Sequence, residues 1–363
     1  MACTEADPPA EEAPPRQPQA LVADLPDDCG SIGPAPRRAE ISFVANGNLY
    51  VASPDKTKVR CATSAEGATE LEWGARADRL LFGGLDRHID EGRAIVSSES
   101  SSISMSTWSR PTGTSIVFVK RGRLFKVGAE ESEPRDISFL ARHDSVIYHP
   151  AGTHIVSTGV EAKGDRAGIF LADNEGRKPR PLVANETARS IDSLAFSHDG
   201  NSLYFSADHG DTHDLHRLSL APGSSAGDTG QALAEMELDT VFDSTDPVTN
   251  IHLSEHDDRS LSFRTGSCET GFRTYSTAPD GDRDDFVELD EAIYGSFTEA
   301  VGWTPKGELM VLVQKSGCDG PAELWRTKPG RGLLFARGVT LASVRAELPP
   351  PPDPPLPAQE VPA

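Results

Sequence analysis

A short unit recurs along this chain: an aromatic or apolar residue, a polar turn, then a strand-length apolar run. It reads EWGARADRLLF (72–82), TWSRPTGTSIVFV (107–119), IYHPAGTHIV (147–156), AFSHDGNSLYFS (195–206) and GWTPKGELMVLV (302–313), with a fainter copy HLSEHDDRSLSF (252–263). The anchors Trp73, Trp108, Tyr148, Phe196, Leu253 and Trp303 lie 35, 40, 48, 57 and 50 residues apart. Further strand-length runs follow each unit, such as DLHRLSL (214–220) and AELWRT (322–327). Four short strands in a repeat of this length make one small sheet that cannot bury its own faces. Such sheets stack around an axis, which is the pattern of a β-propeller.

The rest of the body agrees. Runs such as ISFVA (41–45), NLYVAS (48–53), SIVFVK (115–120) and RLFKVG (123–128) are aliphatic or aromatic and bounded by Gly, Asp, Asn and Pro. Helical periodicity is confined to Ala232–Asp239 and Asp290–Ile293, each a turn or two at most. The chain is therefore all-β. Residues 41–64 offer three strands (ISFVA, NLYVAS, KVRCAT) with no anchor strand before them, while TLASVRA (340–346) is left over after LLFARG (333–338). If that leftover strand becomes the innermost strand of the first blade, both termini close the ring and no sheet edge is left open. The expected architecture is a single propeller of seven four-stranded blades. Six or eight blades also fit, because the Leu253 copy is faint.

The copies resemble the TolB-like propeller repeat, an aromatic followed by Ser-Pro-Asp-Gly and a strand. Phe196-Ser197-His198-Asp199-Gly200 departs from it only at His198, and Trp303-Thr304-Pro305-Lys306-Gly307 keeps the proline and the glycine. The resemblance covers most of 41–345 and implies a fold that is related to WD-repeat propellers and usually six-bladed. It implies almost nothing about function.

Sixteen of the 28 prolines fall in residues 1–38 and 346–363. These segments lack periodicity and cannot bury enough apolar surface to offset ordering, so they read as a disordered acidic N-terminal tether and a disordered C-terminal tail around a 39–345 propeller. Acidic residues number 56 against 35 Lys plus Arg, a formal charge of −21. That balance repels phosphate backbones and anionic lipid, which argues against nucleic-acid binding and polybasic membrane docking.

Five cysteines need an account. Cys268 and Cys318 occupy the equivalent second-to-third strand loop of successive copies, so neighbouring blades would set them side by side for a disulfide. Cys29 and Cys61 would staple the N-terminal arm to the first blade. Four unpaired thiols are the alternative. Cys3 follows a small residue and precedes a Pro/Glu/Ala tether, which resembles the end of a bacterial lipoprotein signal peptide. The resemblance implies acylation at Cys3, an upstream signal, and a periplasmic or cell-surface location with the membrane reached only through that lipid. A cytosolic chain with a chance Ala-Cys start is the competing reading.

The densest group of potential ligands is Asp208-His209-Gly210-Asp211-Thr212-His213-Asp214-Leu215-His216, three histidines and three aspartates in nine residues. It could hold zinc, yet turn-forming residues belong in this second-to-third strand loop, and His216 stands where the TolB-like repeat has tyrosine. His209, Asp211, His213 and Asp214 are taken as loop residues of a ligand or partner face. Asp280, Asp282 and Asp284 with Glu291 match positions 1, 3, 5 and 12 of a calcium loop, but position 6 is Asp285 in place of glycine and no helices flank it. A third-to-fourth strand hairpin turn explains the segment more simply. No Gly-x-Ser-x-Gly elbow and no phosphate-cradling glycine loop appears, and SSESSSISMS (97–106) reads as a polar loop.

The expected function is thus a non-catalytic, monomeric envelope propeller that needs no cofactor beyond weak calcium or zinc. It would bind an envelope protein or peptide, a basic one by charge complementarity. The alternatives are a propeller enzyme, a lyase or glycan-acting hydrolase with its site in the central channel, and a metal- or calcium-binding propeller.

Overall fold

A computed structural model describes Leu25, Cys29 and residues 41–345, apart from 54–58, 66–67, 69–70, 74–78, 83–84, 89–102, 111, 129–132, 162–166, 184–187, 221–237, 255–259, 278–284, 319 and 329–330. Of the two tails read from the sequence, 1–38 and 346–363, only Leu25 and Cys29 are among these residues.

The chain opens with β1 (Ile41–Ala45), β2 (Asn48–Ala52) and β3 (Val59–Ser64). A three-stranded sheet follows, β4 (Leu71–Trp73), β5 (Arg79–Phe82) and β6 (Leu85–His88). Next comes a four-stranded sheet of β7 (Ile103–Trp108), β8 (Ser115–Lys120), β9 (Arg123–Gly128) and β10 (Arg135–Asp136). A second comprises β11 (Arg142–Tyr148), β12 (His154–Val160), β13 (Gly168–Asp173) and β14 (Arg180–Val183). The third holds β15 (Ser190–Phe196), β16 (Ser202–Asp208), β17 (His213–Ser219) and β18 (Leu238–Ser244). The fourth holds β19 (Val248–Leu253), β20 (Leu261–Ser267), β21 (Gly271–Thr277) and β22 (Phe286–Glu288), and one helical turn, α1 (Glu291–Tyr294), leads out of it. Finally β23 (Thr298–Trp303), β24 (Leu309–Val313), β25 (Ala322–Lys328) and β26 (Arg331–Val344) join β1–β3 in one seven-stranded sheet.

All six anchors are the last residue of the first strand of their sheet: Trp73, Trp108, Tyr148, Phe196, Leu253 and Trp303. The hydroxyl that follows most of them fixes the next turn. Ser197 Oγ accepts from the Ser202 amide at 2.9 Å and donates to Asp199 at 2.6 Å, while Asp199 accepts from the Asn201 amide at 2.9 Å. Thr304 receives the Glu308 amide at 3.2 Å, and Ser109 the Ser115 amide at 3.0 Å. Gly200 completes its turn at φ 72°, and a Cβ there would meet the His149 ring of the preceding sheet at 2.5 Å. The repeat is thus a turn whose side-chain acceptors satisfy its own amides.

The first strands also share an irregularity. Register slips between Ile103 and Met105, His143 and Ser145, Ile191 and Ser193, Thr249 and His252, and Ala300 and Gly302. A bulge of this kind adds twist at the narrow inner end of a radial sheet. Apolar layers lie between successive sheets. Val156, Ile169 and Leu171 pack on Leu203, Phe205 and Leu218, and Val117 and Leu124 on Val146 and Ile155. Both faces of a middle strand are therefore covered, as in β16, whose first six residues are all buried.

Closure follows the expected route with one difference. Ile41 pairs with Val344 and Phe43 with Ala342, so the last strand lies beside the first. LLFARG and TLASVRA, read as two strands, form the single strand β26, which pairs with β25 up to Val339 and with β1 from there on. Gly338, at φ 71°, makes the bend that passes one strand from one sheet to the next. Two local readings are corrected. Ile103–Ser106, read as loop, lies in β7, and Leu238–Asp239, read as the end of a helical turn, begins β18. Pairing to the neighbouring strand decides both, Ile103 with Lys120 of β8 and Leu238 with Leu218 of β17, in place of local propensity.

Candidate functional site

In an antiparallel four-stranded sheet, the second-to-third connection shares a face with the link to the next sheet. The β16–β17 hairpin therefore sits on that face beside the Ser244–Pro247 link. Its turn closes through the His209 amide to Thr212 O at 2.9 Å and the Gly210 amide to Asp208 Oδ1 at 2.6 Å. Gly210 has φ 95°, and a Cβ on it would meet the Arg189 guanidinium at 2.5 Å, so Arg189 lies across the turn.

Asp214 and His216 stand two apart on β17 and project from one side of the strand. His209 reaches back to them from the turn. His209 Nε2 lies 3.4 Å from His216 Nε2 and 3.5 Å from Asp214 Oδ2, and the three ligand atoms fall within 4.8 Å of one another. The imidazole rings cross at 89°. His216 is buried, its Nδ1 is 3.1 Å from Thr240 Oγ1, and the Phe205 ring packs beside it at 5.1 Å. Burial pushes the His216 pKa down, the Asp214 charge opposes this, and His209 pushes it further down. Asp214 Oδ1 is buried with no hydrogen-bond partner among the described residues.

Of the loop residues read from the sequence, His209 and Asp214 come together, with His216 as a third member. Asp211 is exposed at the turn, and His213 faces the other way, its Nδ1 4.0 Å from Asp208 Oδ1. In the sequence His216 reads as a replaced tyrosine, although its i, i+2 spacing from Asp214 is a sign of a shared face.

Both disulfides are present, Cys268–Cys318 with Cα atoms 5.4 Å apart and Cys29–Cys61 at 5.0 Å. The first ties the β20–β21 and β24–β25 loops together on the face that carries His209. The second seats Leu25 and Cys29 against the core around β1. Cys3 lies outside the described residues, as do Asp280, Asp282 and Asp284. Glu291 is the exposed first residue of α1, and Asp290 caps that helix by accepting the Ala292 amide. The paired strands β21 and β22 flank this segment, so it joins a third strand to a fourth as expected.

A cavity of about 560 Å³ runs down the axis, with wall residues from β4, β7, β11, β15, β19, β23 and β26. Arg110, Pro150 and His198, in first-to-second strand turns, mark its mouth on the opposite face from His209. Beside aliphatic and hydroxylated residues, the wall carries ionisable groups. Glu299 accepts from Asn250 Nδ2 at 2.6 Å and pairs with Arg264 at 2.8 Å, and Glu72 accepts from Thr107 at 3.0 Å. Asn250 holds a left-handed backbone, φ 52°, at the β19 bulge. His252 is pushed down to about 4 by burial.

No family model and no curated protein matches the chain. Solved structures do. The tricorn protease superposes with a TM-score of 0.57 at 14% identity over 86% of this chain and 35% of its own. The β-propeller domain of Cps50 (Swd1) from Myceliophteria thermophila gives 0.56 at 13% identity, over 82% and 98%. A TolB from Agrobacterium tumefaciens gives 0.49 at 15% identity, over 69% and 87%. The likeness to the Cps50 β-propeller domain supports the β-propeller fold, and none of these likenesses extends further than the fold. Among the described residues, no helix is long and apolar enough to cross a membrane.

Proposed function

We propose that the chain is a seven-bladed propeller that acts as a non-catalytic binding module for a basic protein or peptide in the cell envelope. The observation that carries this is the braced acidic face. Asp208, Asp211 and Asp214 on the β16–β17 hairpin adjoin Asp243 and Asp246 at the β18–β19 link, since Asp214 is in register with Asp243. Arg189 lies across the Gly210 turn, and Arg273 lines a recess with Asp243 and Asp246. The Cys268–Cys318 bridge holds the loops of the next two sheets on the same face. A rigid concentration of one charge speeds and orients the encounter with the opposite charge.

Three further observations support the reading. Strands from seven sheet segments wall one axial cavity, which favours seven blades. Glu299 is engaged by Asn250 and Arg264, an arrangement suited to holding a wall together more than to moving protons. Two disulfides suit an oxidising compartment, consistent with export and with a lipid on Cys3.

In-cell crosslinking of the tagged, exported protein, followed by mass spectrometry, tests the proposal. A stoichiometric basic envelope protein should be captured and should be lost when 208–214 is replaced by a neutral turn. Recovery of the propeller alone, or capture indifferent to that replacement, would sink it.

A further inference from the structure

We infer that His209, Asp214 and His216 form a zinc site on the β16–β17 hairpin, with the two imidazole Nε2 atoms and Asp214 Oδ2 as ligands and water in the fourth position. The separations carry the inference. Zinc bound tetrahedrally at about 2.0–2.1 Å places its ligand atoms about 3.3–3.4 Å apart. The His209–His216 and His209–Asp214 separations are 3.4 and 3.5 Å, two edges of that tetrahedron. The third pair is within 4.8 Å, and a bound ion would draw the Asp214 carboxylate in to complete that edge.

The donor set narrows the ion to a transition metal, and the tetrahedral separations favour zinc. Two imidazoles with one carboxylate suit zinc, whereas calcium and magnesium take oxygen ligands throughout. The support behind the ligands is also in place. When His216 Nδ1–H donates to Thr240 Oγ1, 3.1 Å away, the Nε2 lone pair points toward His209 and Asp214. Phe205 fixes the plane of the His216 ring.

A second, independent observation points the same way. A buried carboxylate oxygen without a donor is costly, and Asp214 Oδ1 is such an atom among the described residues. A cation on Oδ2 offsets that cost. Asp243, opposite Asp214 in β18, adds to the favourable field, and Arg189 across Gly210 opposes it. The competing arrangement is an imidazole–imidazole hydrogen bond beside a His209–Asp214 pair, long at 3.4 and 3.5 Å.

The test uses the full chain with both disulfides intact, stripped by chelator, and needs no binding partner, so its outcome is separate from that of the envelope-module reading. Zinc titration by calorimetry should show one strong site per chain. Cobalt should give the intense visible bands of a tetrahedral centre. Asp214→Asn and the His209→Ala/His216→Ala pair should each weaken zinc binding by more than about 100-fold, and Thr240→Val by about 10-fold. Asp192→Asn, exposed on β15 of the same sheet, should leave zinc affinity unchanged. Asp214→Asn is isosteric, and an unchanged far-UV spectrum and unfolding midpoint in chelator show that it folds. No strong site in the wild type, a pale octahedral cobalt spectrum, or affinity unchanged in the folded Asp214→Asn protein would each overturn the assignment.

Discussion

Two adjacent sheets each bury a histidine, His143 in β11 and His216 in β17, and they hold it in opposite ways. Around His143 every polar atom is spoken for. Its Nε2 accepts the Phe139 and Leu140 amides at 3.3 and 3.2 Å, so Nδ1 carries the proton and donates to Ser157 Oγ at 2.8 Å. Ser157 passes its own proton to Ser145 O at 2.6 Å. Around His216 the second nitrogen has a long contact, 3.4 Å, to another imidazole, which itself lies 3.5 Å from a carboxylate. Burial alone therefore does not mark a functional histidine. The partners do: a complete set makes His143 part of the scaffold, and a convergent but incomplete set marks the rim.

The largest effect is expected where the set is complete. His143→Ala leaves two half-buried amides without their acceptor and opens a cavity around a buried ring, and should lower stability by about 2–3 kcal/mol. Urea unfolding with an unchanged m-value is the readout. A loss below about 1 kcal/mol would break the comparison, because His143 would then be replaceable filler.

The same contrast should appear in the pH dependence. Burial holds His143 down at about 4, and Asp136 only partly opposes it. In the unfolded chain the ring titrates near its ordinary 6.5. The neutral ring's contribution is therefore full above pH 6.5 and is lost as pH falls from there toward 4. The unfolded chain takes up the proton first. The loss amounts to at most about 3 kcal/mol for this residue. His252, held down at about 4 on the channel wall, adds a loss of the same sign over the same window. Unfolding curves from pH 7 to 4 should show the decline, and it should be shallower in a folded His143→Gln variant. A flat profile would contradict the pairing described here.

These two environments were not equally visible in the sequence. The anchors and the hydroxyls after them, Ser109, Ser197 and Thr304, could be read because the repeat restates them and each acts on its own turn. The His209–His216 group was half visible: one hairpin contains His209 and Asp214, but His216 falls on a repeat position and reads as a replaced tyrosine. The channel wall was not. Glu299 meets Asn250 across 49 residues and Arg264 across 35, from β19 and β20, and only the curvature of the ring brings them together. His143 gave no signal either, as its partners depend on the bulge between His143 and Ser145. Closure was foreseen, but not the continuous β26, because a glycine between two short runs reads as a break until Gly338 is seen bending one strand between two sheets.

The channel wall offers a test of intermediate size. Glu299→Gln keeps an acceptor for Asn250 but removes the charge opposite Arg264, whose side chain is mostly covered. Glu299 is itself about a third exposed, so solvent screens the pair and the cost should be about 1 kcal/mol. If Glu299→Gln were neutral for folding yet abolished capture of a partner, the wall would belong with the rim and not with the scaffold.

The smallest effect is expected at Asp214, and it is the most discriminating. In a scaffold position with complete pairing, Asp→Asn strands donors and costs stability. At Asp214, Oδ1 has no donor among the described residues and Oδ2 faces His209 at 3.5 Å, too long for a strong pairing. Removing a charge that is poorly solvated and poorly paired loses little. Asp214→Asn should therefore fall within about 0.5 kcal/mol of the wild type in chelator, on either side of zero. With zinc added the two proteins should separate, because only the wild type gains from binding the ion, and the gap should grow with zinc concentration. A destabilisation above about 2 kcal/mol in chelator would place Asp214 in the scaffold with His143, and the distinction between the two histidine environments would fail at the residue on which it turns.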